Sequence, residues 1–570
     1  MRMRVLVPAL AVLLCLSAAA QTRVDPKISS VYPFSGQRGS TFTATVRGSG
    51  LAGASAAVVE NAPFTIAVEK AESEPPTEKT GRNRAPADLI TLRVQVSGDA
   101  QPGRYPIRLV TRHGITNALP VYVVDLPVAA EPPGSHDTPE SAIAASNVPS
   151  TFAGRLSRRG EADLYAFSAA AGQTLTFEVI SGLPQIAAGG SAATVANFDP
   201  ALSIFDAEGS WFHSGRLKRV AHNDEPVWVF GRPTDAHLVH RFTKAGKYLL
   251  RVEAFAGQGG PDYSYQLRIL PGTAAHELPP ASSDWSERVW TRHLDANRLN
   301  RLASRGGKPE DQKSIETYRA SAAGSVLKLP ATVEGAIATP GESQRARFRV
   351  DEPGDIVMEV ETPAIAPPFF NPVVRLLNQS GAEVATNVFA GLGACSGAMN
   401  KSLQAKTVVP LREPGEYTLE IRDATADLAG ADFQYRVQVR PRIPHVGQVR
   451  IDADHLNFTP GETKTLRVTF DREEDFRGTV MVVAEGLPPG MTAATGADFE
   501  PDKDDPPAVG KRERYTPRTE RAVLVLTANA DAPVSAQPHT VGIVVQPVTD
   551  GKAGAVLASK PIYVMVVQKP

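Results

Sequence analysis

Hydrophobic and polar residues alternate with a period of two along most of the chain. In "STFTATVRG", Phe42, Ala44 and Val46 fall on one side and Thr41, Thr43 and Thr45 on the other, which predicts a half-buried strand. The rhythm returns in "LITLRVQV", "GRYPIRLVT" and "LPVYVVD", with turns such as "SGDAQPG" and "RHG" between them. Further on, "TLTFEV" sets Leu175, Phe177 and Val179 against Thr174, Thr176 and Glu178. In "PDYSYQLRIL", Tyr263, Tyr265, Leu267 and Ile269 share a face. One stretch breaks the pattern. In "DWSERVWTRHLDANRLNRLASRG", Trp285, Val289, Leu294, Leu299 and Leu302 are spaced like one helical face, and "KPEDQKSIETYRASAAG" extends it. Alternation then resumes through "TKTLRVTFDR", "GTVMVVAEGLPPGMTA", "RAVLVLTANADAP" and "HTVGIVVQPV".

The chain also repeats itself. Residues 154–179, "GRLSRRGEADLYAFSAAAGQTLTFEV", align without gaps to 335–360, "GAIATPGESQRARFRVDEPGDIVMEV". Three further pairs follow in the same order: "FDPALSIFDAEG" with "FNPVVRLLNQSG", "KAGKYLLRV" with "EPGEYTLEI", and "PDYSYQLRI" with "ADFQYRVQV". Each pair keeps its strand pattern and a turn glycine or aromatic: Gly246 with Gly415, Tyr248 with Tyr417, Tyr265 with Tyr435. Four ordered matches describe two copies of one domain, each long enough for its own core.

At 570 residues the chain is too long for one core. The predicted class is all-β: tandem β-sandwich domains, Ig-like and jelly-roll-like, with one short helical connector. The predicted division is a signal peptide over 1–20, an Ig-fold domain over 27–125, the first copy over 128–271, a helical linker over 272–327, the second copy over 328–441 and an Ig-like sandwich over 442–570. Two polar stretches, "EKAESEPPTEKTGRNRAPAD" and "DFEPDKDDPPAVGKRERYTPRTER", read as surface loops, the second passing from acidic to basic and compensating itself. Sixty basic residues nearly cancel 61 acidic ones, so nothing points to electrostatic capture of nucleic acid.

The N-terminus reads as an export signal. "MRMR" is a positive start, "VLVPALAVLLCL" an apolar run too short to span a bilayer, and "SAAA" a small-residue cleavage site before Gln21. Leu14 precedes Cys15 where a lipoprotein signal has a small residue, so cleavage after Ala20 is expected and lipid anchoring is not. No transmembrane segment is expected after its removal. One cysteine then remains, Cys395 in "GLGACSGAM", which allows no intrachain disulfide and reads as a small buried residue.

The two copies resemble the bacterial pre-peptidase C-terminal domain. The resemblance is carried by "SHDTPESA", "GEADLYAFSAAAGQTLTFEV", "FDPALSIFDAEG", "VAHNDEP", "KAGKYLLRV" and "YSYQLRI". It is fuller in the first copy; the second lacks the "NDE" element and has Gln344 where the first has Asp163. "VYPFSGQRGSTFTATVRGSGLAGA" resembles an IPT/TIG-type immunoglobulin-like domain, and "FRGTVMVVAEGLPPGM" resembles the Ig-like domains that close such chains. The resemblance implies an exported, envelope-associated bacterial protein, and a domain that often accompanies secreted peptidases without catalysing. It also implies calcium. Some of these domains hold the ion with acidic residues before the first strand and at the "D-Y" turn, and Asp137 and Asp163 match those positions. Here "PPGSH" replaces the usual acidic run, and His136 stands where an asparagine is expected.

Catalytic constellations do not assemble in the sequence. "HELPP" at His276 runs into a double proline, where a helix carrying metal ligands cannot continue. There is no Gly-x-Ser-x-Gly elbow and no phosphate-binding loop. Ser325 and Lys328 have Ser-x-x-Lys spacing, but they lie in a strand-like "GSVLKLP" and face opposite ways. His213, His222, His237 and His240 cluster in the first copy only, and His237 and His240 would point to opposite faces of a strand. Trp211, Phe212 and Trp228 lie in or near loops of the first copy and are the candidates for a ligand-binding face, since exposed aromatics stack on sugar rings. The expected function is a non-catalytic exported binding or scaffolding protein of the cell envelope or extracellular space. It would recognise protein or polysaccharide and be secreted or periplasmic. No cofactor is expected from the residues themselves; calcium at Asp137 and Asp163 is implied by the resemblance alone, with Asp163 capping or pairing in the turn as the other reading of that residue. The alternative is an accessory component of a secreted peptidase system or a divergent hydrolase.

Overall fold

A computed structural model describes residues 25–59, 63–74, 87–182, 198–207, 217–223, 236–254, 257–272, 316–319, 325–362, 370–392, 399–424, 429–430, 433–496, 518–549, 551–554, 557–558 and 561–569. Strands dominate them, paired into sheets that face one another around four large apolar cores.

The first sandwich pairs Lys27–Tyr32, Thr41–Ser49, Asp88–Val96 and Phe64–Ser73 in one sheet. The facing sheet runs Ser35–Gln37, Leu119–Val124, Gly103–Thr111, Ala56–Val59. The last sandwich repeats this order strand for strand: His445–Ile451, Thr463–Glu473, Arg518–Ala528 and Met491–Gly496, facing His455–Phe458, Ile562–Val566, His539–Thr549 and Thr479–Glu485. In both, a short strand joins the final strand in parallel, Ser35–Gln37 with Leu119–Val124 and His455–Phe458 with Ile562–Val566.

The two middle sandwiches also share one topology. The first copy has Val128–Ala130, Ser150–Arg155, Ser264–Pro271, Thr174–Ser181 and His237–Arg241 in one sheet. Its other sheet holds Ile143–Ala144, Ala162–Ala169, Gly246–Ala254, Pro200–Asp206 and Lys218–Asn223. The second copy has Glu316–Arg319, Ala331–Ala336, Gln434–Pro441, Gly354–Glu361 and Lys406–Leu411, against Val326–Lys328, Ser343–Val350, Gly415–Asp423, Pro372–Leu377 and Glu383–Thr386.

This order corrects part of the helical reading. Glu316–Arg319 is a strand, paired in parallel with Ala331–Ala336, in the place that Val128–Ala130 holds in the first copy. Val326–Lys328 is a strand, as the "GSVLKLP" pattern predicts. The backbone of "ETYR" is drawn into a sheet edge, where pairing with a neighbour outweighs a loose helical spacing. The rest of the predicted helix, residues 273–315, lies outside the described residues.

Each identity between the aligned copies has a physical reason. Gly160 and Gly341 turn the chain at φ 73° and 79°, a left-handed conformation that glycine adopts without a Cβ clash. Gly154 and Gly335 lie opposite Tyr265 and Tyr435, and a Cβ at either would overlap the tyrosine. Phe167 and Phe348 stack on Tyr248 and Tyr417 with centroids 5.9 Å apart in both copies. Val179 and Val360 are core. Glu161 accepts the Arg158 amide (2.8 Å), and Glu342 accepts those of Ala338 and Thr339 (2.7 and 3.0 Å). Glu178 and Glu359, the remaining pair, belong to buried charge clusters on the sheet's outer face.

Candidate functional site

Asp163 is not in an open turn. It shares the core-facing side of Ala162–Ala169 with Tyr165 and Phe167 and is 1% exposed. Tyr265 donates its hydroxyl to Asp163 Oδ2 at 2.5 Å. With that proton committed, Tyr165 donates to the Tyr265 oxygen at 2.9 Å, so two buried phenols relay to one carboxylate. Burial outweighs the Tyr265 bond and pushes the Asp163 carboxyl up to about 6. Glu131, which sequence reasoning missed, lies in the same field. Its Oε2 accepts the Arg155 amide at 3.0 Å, and burial together with the Asp163 charge pushes it up to about 7.

Asp137 lies on the surface, and its charge reaches Asp163. Ser135 and Arg158 hold it, the latter at 2.8 Å from Oδ2, and their hydrogen bonds lower its pKa. Immediately before Asp137, His136 is buried with Nδ1 3.0 Å from Ser141 O and Nε2 2.8 Å from Pro132 O. Two carbonyls can be satisfied only if both ring nitrogens carry protons. Burial opposes that charge, but the two hydrogen bonds prevail and raise the pKa. Positive charge on His136 opposes the rise of the Asp163 and Glu131 pKa values. The second copy keeps the frame without the charge: Tyr435 donates to Gln344 Oε1 at 2.7 Å, and Gln344 Nε2 donates to Ala336 O and Glu342.

Trp211, Phe212, Trp228, His213 and Cys395 lie outside the described residues. His237 is buried 3.5 Å from Glu178, whereas the His240 ring meets Phe242 edge-on; burial lowers the His240 pKa. His222 Nδ1 lies 2.9 Å from Ser203 Oγ. These histidines do not converge. Among the described residues one metal-capable trio does: His445, Glu473 and Glu474.

That trio is part of a joint between the second copy and the last sandwich. Lys406 Nζ donates to Glu473 Oε2 (2.8 Å) and Glu474 Oε1 (2.7 Å). Arg440 grips Glu474 with both terminal nitrogens (2.8 and 2.7 Å) and reaches Glu359 at 3.4 Å. Glu474 sits at φ 54°, a strained non-glycine conformation that the ion pairs and the Ile443 amide (2.7 Å) hold in place. Burial would raise the Glu474 pKa, but the Arg440 hydrogen bonds and the Lys406 charge bring it down to about 2. Burial and Lys406 bring His445 to about 4. The cation position between the carboxylates is filled by the Lys406 ammonium, so the cluster works as an ionic lock.

Two more joints have the same character. Between the first sandwich and the first copy, Asp262 accepts Arg47 Nη1 (3.1 and 3.0 Å) and the hydroxyls of Ser29 (3.1 Å) and Ser30 (2.7 Å). Ile180 of the first copy packs into the first sandwich's core. Arg155 lies 4.0 Å over the Tyr32 ring. Between the first and last sandwiches, Arg108 Nη2 meets Asp454 Oδ2 at 2.8 Å and lies 5.0 Å from the Tyr563 ring. Burial of Asp454 is outweighed by its bonds to His455 and Arg108, which leave it far below the usual carboxylate range.

Fold and joints together define a class: a tandem β-sandwich protein whose domains are locked to one another by buried polar contacts. No family model matches the chain, and no curated protein does. Among solved structures, it is similar to the pre-peptidase C-terminal domain of a Bacillus anthracis collagenase (16% identity, 22% of this chain, 96% of that one, TM-score 0.14). It is also similar to domains 4 and 5 of the S-layer protein SbsC (14%, 34% and 99%, 0.14) and to Bacteroides ovatus SGBP-B in complex with a mixed-linkage heptasaccharide (12%, 70% and 70%, 0.12). No helix among the described residues is long and apolar enough to cross a membrane.

Proposed function

We propose that this chain is a non-catalytic, exported bacterial protein that binds or scaffolds at the cell envelope or outside it. Its ligand is protein or polysaccharide, recognised by surfaces held in fixed relation. The observation that carries the reading is the construction of the joints. Each is closed by charged or amide side chains with several partners, half-buried at the first joint and buried at the other two, an arrangement that fixes orientation. Such rigidity serves presentation of surfaces, because a preorganised binder loses little freedom on association. The export-type N-terminus and the balanced charge fit the same reading.

The test is capture of envelope glycans and proteins by the purified chain, alongside assays on casein, generic esters and glycosides. Saturable binding with no turnover is expected. Turnover abolished by a single substitution would overturn the reading in favour of a divergent hydrolase.

A further inference from the structure

The joint between the first and last sandwiches is built to be permanently covered on both sides. Along Gly103–Thr111, Ile107 and Leu109 point into the first core, so Arg108 and Val110 point outward; both are nonetheless buried. Along Ile562–Val566, Ile562, Val564 and Val566 fill the last core, and the outward Tyr563 and Met565 are buried as well. Val110, Ile115, Tyr563, Met565 and Val567 form a separate apolar cluster between the two sandwiches. Opened to water, these faces would each expose an apolar patch of the kind that marks an interface.

The joint also has a specific polar key. Asn457 Oδ1 accepts the Ile115 amide at 2.8 Å, and its Nδ2 donates to the Ile115 carbonyl at 2.8 Å. One side-chain amide thus pairs with the backbone as a neighbouring strand would. Gly114 makes room for it: it lies at φ 124°, and a Cβ there would overlap the Asn457 amide. Asp454 closes the rim, bound to Arg108 (2.8 Å) and the Ala118 amide (3.4 Å).

We propose that the Arg108–Ala118 face of the first sandwich is a docking surface whose partner is the last sandwich of the same chain. The protein would then consist of two halves, up to Gly272 and from Glu316, that stay together without the intervening connection. Contacts run from the first copy to the first sandwich, across this joint to the last sandwich, and on to the second copy. The repeated domains therefore flank a central pair of Ig-like sandwiches, in an order the sequence does not follow. This inference shares the joints with the proposed function but needs no ligand, so failure to find one leaves it standing.

The test uses the full chain with a specific protease site inserted between residues 273 and 315. After complete cleavage, sedimentation at micromolar concentration is expected to show one species with the mass of the uncut chain. Gly114→Leu is expected to release the two halves, and so is Arg108→Ala combined with Asn457→Ala, which only trims side chains and covers the case in which the first variant misfolds. In the uncut chain, amide exchange at Ile115 is expected to speed up at least tenfold in Asn457→Ala. Separation of the unsubstituted halves, or halves that stay together in both variants with Ile115 exchange unchanged, would overturn the proposal. An uncut chain that sediments as a dimer and trades halves between molecules would overturn it too, by making a second copy the partner.

Discussion

Replacing Asp163 with asparagine should stabilise the first copy at pH 8 and do nothing at pH 4. The carboxyl titrates at about 6 in the fold against 3.8 ordinarily, because burial opposes its charge. The folded state therefore holds the proton more tightly than the unfolded chain. Its contribution is complete below pH 4 and is lost as pH rises through about 6. A gap of about 2 pH units, at 1.36 kcal/mol each, is about 3 kcal/mol at most. At 1% exposure, solvent screening removes little of it. Asparagine keeps an acceptor for the Tyr265 hydroxyl and carries no charge; Gln344 shows that an amide suits the same frame in the second copy. A global melting curve would mix four sandwiches, so the assay is amide exchange within Ala162–Ala169 at pH 4 and pH 8, corrected for intrinsic rates. The expected result is protection gained by Asp163→Asn at pH 8 alone. Equal pH dependence in both proteins would refute the reasoning. So would protection lost at pH 8 together with a matching loss when calcium is chelated from the unsubstituted chain; that pair of results would establish calcium at Asp137 and Asp163 instead.

The other joints give sharper losses. Lys406→Met strips a cation from two buried glutamates and should destabilise the joint between the second copy and the last sandwich by about 3–5 kcal/mol. Adding Glu473→Gln should restore part of it, measured by amide exchange near Ile443 in the double variant against each single one. The same joint should loosen in acid. His445 loses its contribution between pH 6.5 and about 4 and Glu474 between 4.5 and about 2, both as pH falls, so amide exchange near Ile443 should rise over that range while the Asp163 region gains protection. Arg47→Ala leaves the Asp262 carboxylate with two serine hydroxyls and should cost about 1–3 kcal/mol at the first joint, read as faster exchange in Lys27–Tyr32.

Much of the fold was legible because a half-buried strand writes its two faces into alternate positions. Thr41–Ser49, Thr174–Ser181 and Ser264–Pro271 all show it, and the repeat at 154–179 and 335–360 aligns with strands in the same order in both copies. Glu316–Arg319 was not legible, since a four-residue parallel edge strand is decided by its neighbour rather than by its own pattern. Asp163 was legible in part. Its alternation with Tyr165 and Phe167 marks the core face, yet the charge alone suggests a turn or a ligand. The joints were missed for a different reason. "DREEDF" reads as a solvated charge run, and only the approach of Lys406 and Arg440 from another domain turns it inward. A trace of the central joint was present in "IYVMV". Five consecutive apolar residues mean a strand covered on both faces, whereas an ordinary sandwich strand shows one polar side.

The repeated domains are thereby more than interchangeable modules. Both use the outer face of the same sheet to receive the first or the last sandwich, but at different positions along it. In the first copy the contact gathers where Ser181 pairs with Tyr265, through Ile180, Ser264 and Asp262. In the second it runs from Arg442 and Arg440, beside the pairing of Ile356 with Pro441, to Lys406, which pairs with Glu359. The shared glutamates, Glu178 and Glu359, lie on that face and bind a cation in each copy, Arg268 in one and Arg440 in the other. Arg440 occupies the register of Leu270 rather than that of Arg268, because Val179 pairs with Leu267 and Val360 with Val437. The cation has moved two residues along its strand, toward the end where the last sandwich docks. One scaffold thus serves two attachments by changing charged residues on the outer face of a sheet, Arg440 in the register of Leu270 and Lys406 in that of His237, while Val179 and Val360 stay in the core.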